Sequence, residues 1–180
     1  MSTRAANAPR VDEAAAKTTY EQPLSERMRT FLRLEFLAQQ ANHHSLQESA
    51  WSSRAAVDSL LEILTILGRG DIRGEVLKEL ERQQNVLAPF GSRPGVDTSR
   101  LDALLNRVAT LRSALAEVGA HYVQPLKDSE FLSAIKHRSA IPGGTCEFDL
   151  PDFKHWLGLP YEQRAEDFRL WFASIKPLCD

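Results

Sequence analysis

Large apolar residues recur every three or four positions through most of the chain, which is the spacing of one helix face. The first such stretch runs from about Pro23 to Ala41, with Leu24, Met28, Phe31, Leu32 and Phe36 in register and Pro23 or Ser25 marking its start. A second follows Ser45-Leu-Gln-Glu48, a capping-box sequence in which hydroxyl and carboxylate each satisfy a free amide of the other residue. Leu60, Leu61, Leu64 and Leu67 form its apolar side, and Gly68 and Gly70 suit a left-handed stop. The third helix spans about Ile72 to Leu87. Val76, Leu77, Leu80, Gln84 and Leu87 line one face, while Glu75, Lys78, Glu79 and Arg82 dress the solvent side.

The fourth helix opens at Asp97 or Thr98 and closes at Gly119. Leu101, Leu104, Val108, Leu111, Leu115 and Val118 alternate spacings of three and four, a heptad-like seam that fits either the inside of a bundle or the contact between two copies. A short helix near Ser129–Arg138 leads into Ile141-Pro-Gly-Gly144, which must turn. Thr145-Cys-Glu-Phe148 alternates weakly and predicts one short strand. Asp149 and Pro151 start a small helix through Trp156. Pro160 starts the last helix, with Ala165, Phe168, Trp171, Phe172 and Ile175 on its apolar side. The expected fold class is mainly α, a helical bundle with a short strand-containing island. Residues 1–19, with Val11 as their one large aliphatic, predict a disordered tail. Residues 20–129 form the helical domain, 130–165 the turn and strand island, and 166–180 a terminal helix returning to the helical domain.

At 180 residues and 43% hydrophobic content the chain supports a real core. Its net charge of -2 and pI near 6.2 argue against whole-surface nucleic-acid binding, leaving a local basic patch open. No apolar run approaches the roughly 20 residues of a membrane span. Arg4 and Arg10 precede no apolar signal region, so the expected location is the cytoplasm. Cys146 and Cys179 are spaced neither as a ligand pair nor as a redox motif, and read as thiols in a reducing compartment.

Catalytic patterns are missing from the sequence. There is no G-x-S-x-G, no Walker A and no G-x-G-x-x-G, and Gly68-Arg-Gly70 lacks a third glycine. Of the five histidines, His43 and His44 are adjacent and diverge by about 100° on a helix, while His121, His137 and His155 have no acid tied to them by spacing. The expectation is a protein that is not an enzyme and carries no cofactor or metal. What stands out is basic. Arg29 and Arg33 lie four apart on one helix face, Arg138 precedes the glycine turn, and Lys136, Lys154 and His155 flank the same region. Guanidinium forks suit carboxylates, so these residues read either as an anchor for an acidic peptide or as solvated bases paired with Glu26 or Glu35. A helical nucleic-acid-binding protein using that patch is the alternative, opposed by the acidic pI and the lack of aromatics interleaved with the bases.

Four ordered segments carry a resemblance. They are Pro23-Leu-Ser-Glu-Arg-Met-Arg29-Thr-Phe-Leu-Arg33-Leu-Glu-Phe36, then Lys78-Glu-Leu-Glu-Arg82-Gln-Gln84, then Pro94-Gly-Val-Asp97 followed by Ser99-Arg-Leu101, and finally Arg138-Ser-Ala-Ile-Pro-Gly-Gly144 with Cys146-Glu-Phe-Asp-Leu-Pro151 and Trp156-Leu157. In order and spacing the chain resembles the ZapD family of bacterial cell-division proteins from about Tyr20 to Leu178. The resemblance implies a non-enzymatic homodimer with a helical domain and a β-rich domain. It further implies binding to the C-terminal tail of the tubulin-like FtsZ, bundling of FtsZ filaments at midcell and promotion of Z-ring assembly. Arg29, Arg33 and Arg138 match the family's basic pattern, and Lys154 is a weaker match. The family chain continues beyond Asp180, so the resemblance implies that only the start of the β-rich domain is present here.

Overall fold

α2 (Ala50–Leu67) is the most apolar helix and the centre of the packing. Ala56, Val57, Leu60, Ile63 and Leu64 are almost wholly buried on it. In this computed structural model, which describes residues 19–119 and 121–179, α1 (Glu26–Ser45) packs along the length of α2. The expected tail lies outside the described residues, apart from residue 19. Ser25 caps α1 by accepting from the Met28 amide at 3.2 Å.

The capping box expected at Ser45 does not form. α1 runs through Ser45, whose hydroxyl donates back to the Asn42 carbonyl at 3.0 Å. Ser49 caps α2 instead, accepting from the Trp51 amide. The left-handed stop also fails at Gly68, which has φ -83° and returns its amide to Leu64 at 3.0 Å. The chain is redirected by Asp71, whose carboxylate accepts from the Gly74 amide at 2.9 Å and starts α3 (Ile72–Leu87).

α3, a 3-10 turn at Ala88–Ser92 and α4 (Thr98–Glu117) make a hairpin with its own seam. Leu101, Val108 and Leu115, each seven residues apart, are buried in it, whereas Leu104 stays 44% exposed. Arg73 fastens the far end, donating to the carbonyls of Leu115 at 3.0 Å and Ala116 at 2.9 Å, which α4 would otherwise leave open. Glu79, expected on the solvent face of α3, is buried. Its carboxylate accepts from Arg82 and Gln83 and pairs with Arg27 of α1 at 2.9 Å, so three partners offset its desolvation.

After a short helix, α5 (Gln124–Lys127), come α6 (Glu130–Ser139), α7 (Pro151–Leu157) and α8 (Tyr161–Cys179). Leu132, Ile135, Phe153, Trp156 and Phe168 from these helices complete one core with α1 and α2. Phe131, Trp156, Phe168 and Trp171 pack ring against ring at centroid distances of 5.5–6.0 Å. The fold is therefore mainly α, and the described residues contain no strand. Thr145–Phe148 forms turns, because the short-range bonds Gly144 N–H to Ile141, Cys146 N–H to Gly143 and Asp149 N–H to Cys146 coil the segment tightly. Four weakly alternating residues find no neighbouring strand to pair with. Gly143, at φ +72°, supplies the left-handed step of that coil.

Candidate functional site

The basic residues singled out in the sequence fall into two groups. In the first, α1 carries Arg29 and Arg33 one turn apart. Arg29 is paired through Nε with Glu26 at 3.2 Å. Arg33 has no ion-pair partner among the described residues. It lines a cleft of about 300 Å³ with Arg27 and Thr30 of α1 and with Ile66, Arg69 and Ile72 around the α2–α3 turn. Arg69 is exposed and likewise unpaired among the described residues. Arg27 is committed to Glu79 across the helix interface. Two guanidinium groups without ion-pair partners among the described residues thus share this cleft with Ile66 and Ile72, and with the carboxylates of Glu26 and Glu75.

The second group surrounds the turn of residues 141–150. Arg138, at the end of α6, lies 3.9 Å from the Asp149 carboxylate. Lys154 of α7 reaches Glu147 at 2.7 Å and, by hydrogen bond and charge, holds that carboxyl below its ordinary range. A third cation was missed in the sequence. Arg54 of α2 donates to the Thr145 carbonyl at 2.7 Å, and its guanidinium lies over the rings of Phe153 at 4.8 Å and Trp51 at 5.7 Å. Trp51 three residues before Arg54 was the available signal, since that spacing places the two side by side on a helix. Trp51 is 77% exposed and walls a cleft of about 610 Å³ whose other side is Glu147, Lys154 and Leu157. Phe148 projects from the same turn, 86% exposed.

The two groups do not form one patch. Arg54 marks the start of α2 and Ile66 its end, and twelve residues of helix separate them by about 18 Å. Both groups are suited to carboxylates; within the second, the Cys146 thiol donates to the Asp149 carboxylate at 3.3 Å. Among the described residues there is no cluster of three or more His, Cys, Asp or Glu side chains able to hold a metal ion. No helix there is long and apolar enough to cross a membrane.

The model of the ZapD family, described as a cell division protein, matches residues 32–180. This chain belongs to the ZapD family. The ZapD match includes Arg33, Arg138 and Lys154 and begins just after Arg29. It also includes Trp51, Arg54 and the whole turn of residues 141–150, so the second basic group lies within the match, as do Arg33 and Arg69 of the first.

Proposed function

We propose that this protein binds the C-terminal tail of FtsZ and, as a homodimer, cross-links FtsZ filaments at the division site, promoting Z-ring assembly without catalysing a reaction. Arg29, Arg33, Arg138 and Lys154 are the contact residues assigned to the tail. Membership in a cell-division family supports the process. The observation that carries the contact is that Arg33 and Arg69, without ion-pair partners among the described residues, line one cleft with Ile66 and Ile72. A free guanidinium accepts a carboxylate without first giving up an internal partner, so the first acidic residue of a tail docks there at least cost. Two such sites on a dimer hold two filaments, and effective concentration converts a weak single contact into bundling.

The test is fluorescence anisotropy with a labelled FtsZ tail peptide, followed by co-sedimentation with polymerised FtsZ. Saturable binding that weakens as salt rises is expected. Arg33→Glu is expected to reduce affinity at least tenfold, and the Arg29→Glu, Arg33→Glu double variant to abolish binding. Unchanged affinity in a folded double variant removes these residues from the site. Equal binding to a random single-stranded oligonucleotide turns the assignment toward nucleic acid.

A further inference from the structure

We infer that the cleft at the start of α2 receives an acidic peptide carrying an apolar side chain, and that Glu147 occupies the position of the peptide's carboxylate in the free protein. The inference deepens the tail-binding reading and rests on it at one point, that the partner segment is acidic. Three cations from three different helices, Arg54 of α2, Arg138 of α6 and Lys154 of α7, converge on the turn of residues 141–150. The turn answers them with acceptors of its own: the Thr145 carbonyl and the carboxylates of Asp149 and Glu147. The helices alone present three positive charges, and the turn returns two negative ones. The segment thus places acidic side chains where an external acidic segment would place its own.

The internal contacts are exchangeable. Lys154 and Glu147 are 60% and 64% exposed, and ion pairs of that kind contribute little in water. Arg138 and Asp149, at 3.9 Å, stand beyond hydrogen-bond distance. A peptide carboxylate can therefore displace Glu147 from Lys154 at small cost while the Arg54 bond to Thr145 keeps the cleft in shape. Trp51 and Leu157 supply the apolar half of the site, and Arg54 beneath the indole limits the orientations Trp51 must give up on binding. The complement of this surface is a carboxylate next to an aliphatic or aromatic side chain.

Two variants test the two halves, read by anisotropy with the labelled FtsZ tail peptide and with a short labelled peptide alternating glutamate and leucine. Glu147→Gln is expected to tighten binding about two- to fivefold, the advantage expected from removing an exposed competing pair. Trp51→Ala, at a position too exposed to disturb folding, is expected to weaken it at least tenfold. Unchanged or weaker binding by Glu147→Gln overturns the displacement, and unchanged binding by Trp51→Ala overturns the cleft. If Arg33→Glu abolishes tail binding while both of these variants bind as the parent does, the tail-binding reading stands and the present inference falls. If no form of the protein binds either peptide at low salt, both fall.

Discussion

Arg164 offers the sharpest test of how this fold is held together. It lies in the first turn of α8, 5% exposed, and forms no ion pair among the described residues. Its guanidinium instead works as a three-way strut. Nε donates to the Leu159 carbonyl at 3.2 Å, Nη2 to the Glu48 carbonyl at 2.7 Å, and Nη1 to the Ser53 hydroxyl. Those acceptors lie in the loop before α2, in α2 itself and in the approach to α8, so one side chain joins segments more than a hundred residues apart. Arg164→Met keeps most of the apolar stem and removes every donor. Each hydrogen bond from a charged donor is worth about 1.5–3 kcal/mol, and an acceptor left buried without a partner adds its desolvation cost. The three are not additive, because Glu48 lies at the surface and its carbonyl can turn to water. The removed charge also refunds some burial cost of its own. The net expectation is a loss of about 3 kcal/mol, which for a chain of this size lowers Tm by about 6–12 °C. Thermal and urea unfolding followed by circular dichroism read it directly. Arg164→Lys keeps the charge but replaces a planar fork with a single ammonium, and is expected to recover less than half of the loss. A Met variant within about 1 kcal/mol of the parent refutes the strut, and the three bonds are then incidental to stability.

Four further outcomes follow from the same geometry. Trp156 donates its indole N–H to Asp167 at 2.8 Å inside the aromatic cluster, so Trp156→Phe is expected to cost about 1–3 kcal/mol, and a urea midpoint equal to the parent's counts against that bond's importance. Phe168, 2% exposed, is expected to cost about 3–5 kcal/mol as Phe168→Ala, measured by the same unfolding curves. The Arg82 hydrogen bonds, helped by Gln83 and the charges of Arg82 and Arg27 and opposed by burial, lower the Glu79 carboxyl from 4.5 to about 2. A folded value below the unfolded one stabilises fully above the unfolded pKa and fades as pH falls from about 4.5 towards 2; Glu79→Gln is therefore expected to lose roughly 1–2 kcal/mol near neutrality, after discounting for the half-exposed arginines, and little near pH 2, and a pH-independent difference refutes the linkage. A methyl group on Gly144 would stand 2.8 Å from Cβ of Ile141 and against the Arg138 carbonyl, so Gly144→Ala is expected to shift the turn of residues 141–150 and alter peptide binding, with unchanged affinity and Tm as the contrary result.

Helix periodicity was legible where the apolar face was long. The span of α3 stands where the spacing places it, and Leu101, Val108 and Leu115 keep every second position of the expected α4 seam, while Leu104 stays exposed and Val118 falls beyond the helix. The missed elements are short. The 3-10 turn at Ala88–Ser92 and α5 each have Pro near the start and too few residues to show a period. Ser45 was misread because Ser-x-x-Glu describes what two side chains are able to do, not which helix the serine ends up serving. Its hydroxyl closes α1, and Ser49 starts α2. Glu79 was misread for a related reason. A carboxylate is placed at the surface by its desolvation cost alone, and here the hydrogen bonds of Arg82 and Gln83 together with Arg27 arriving from another helix make burial tolerable.

What a basic residue is differs from what it is free to do. Arg33 and Lys154 are both cations within the family match, though Lys154 is the weaker match to the family's basic pattern. In the fold, Arg33 faces a cleft without an ion-pair partner among the described residues, while Lys154 already holds Glu147. Glu147 lies seven residues from Lys154, with the turn and the start of α7 between them, so no helical spacing announces the pair. A partner approaching Arg33 gains a contact outright; one approaching Lys154 must win an exchange. On the proposed tail-binding reading, the first kind of contact would set affinity. The second would set selectivity, because only a segment that supplies both a replacement carboxylate and an apolar side chain for Trp51 would gain from displacing Glu147. A tail that lacks the apolar residue would be held at the Arg33 end alone.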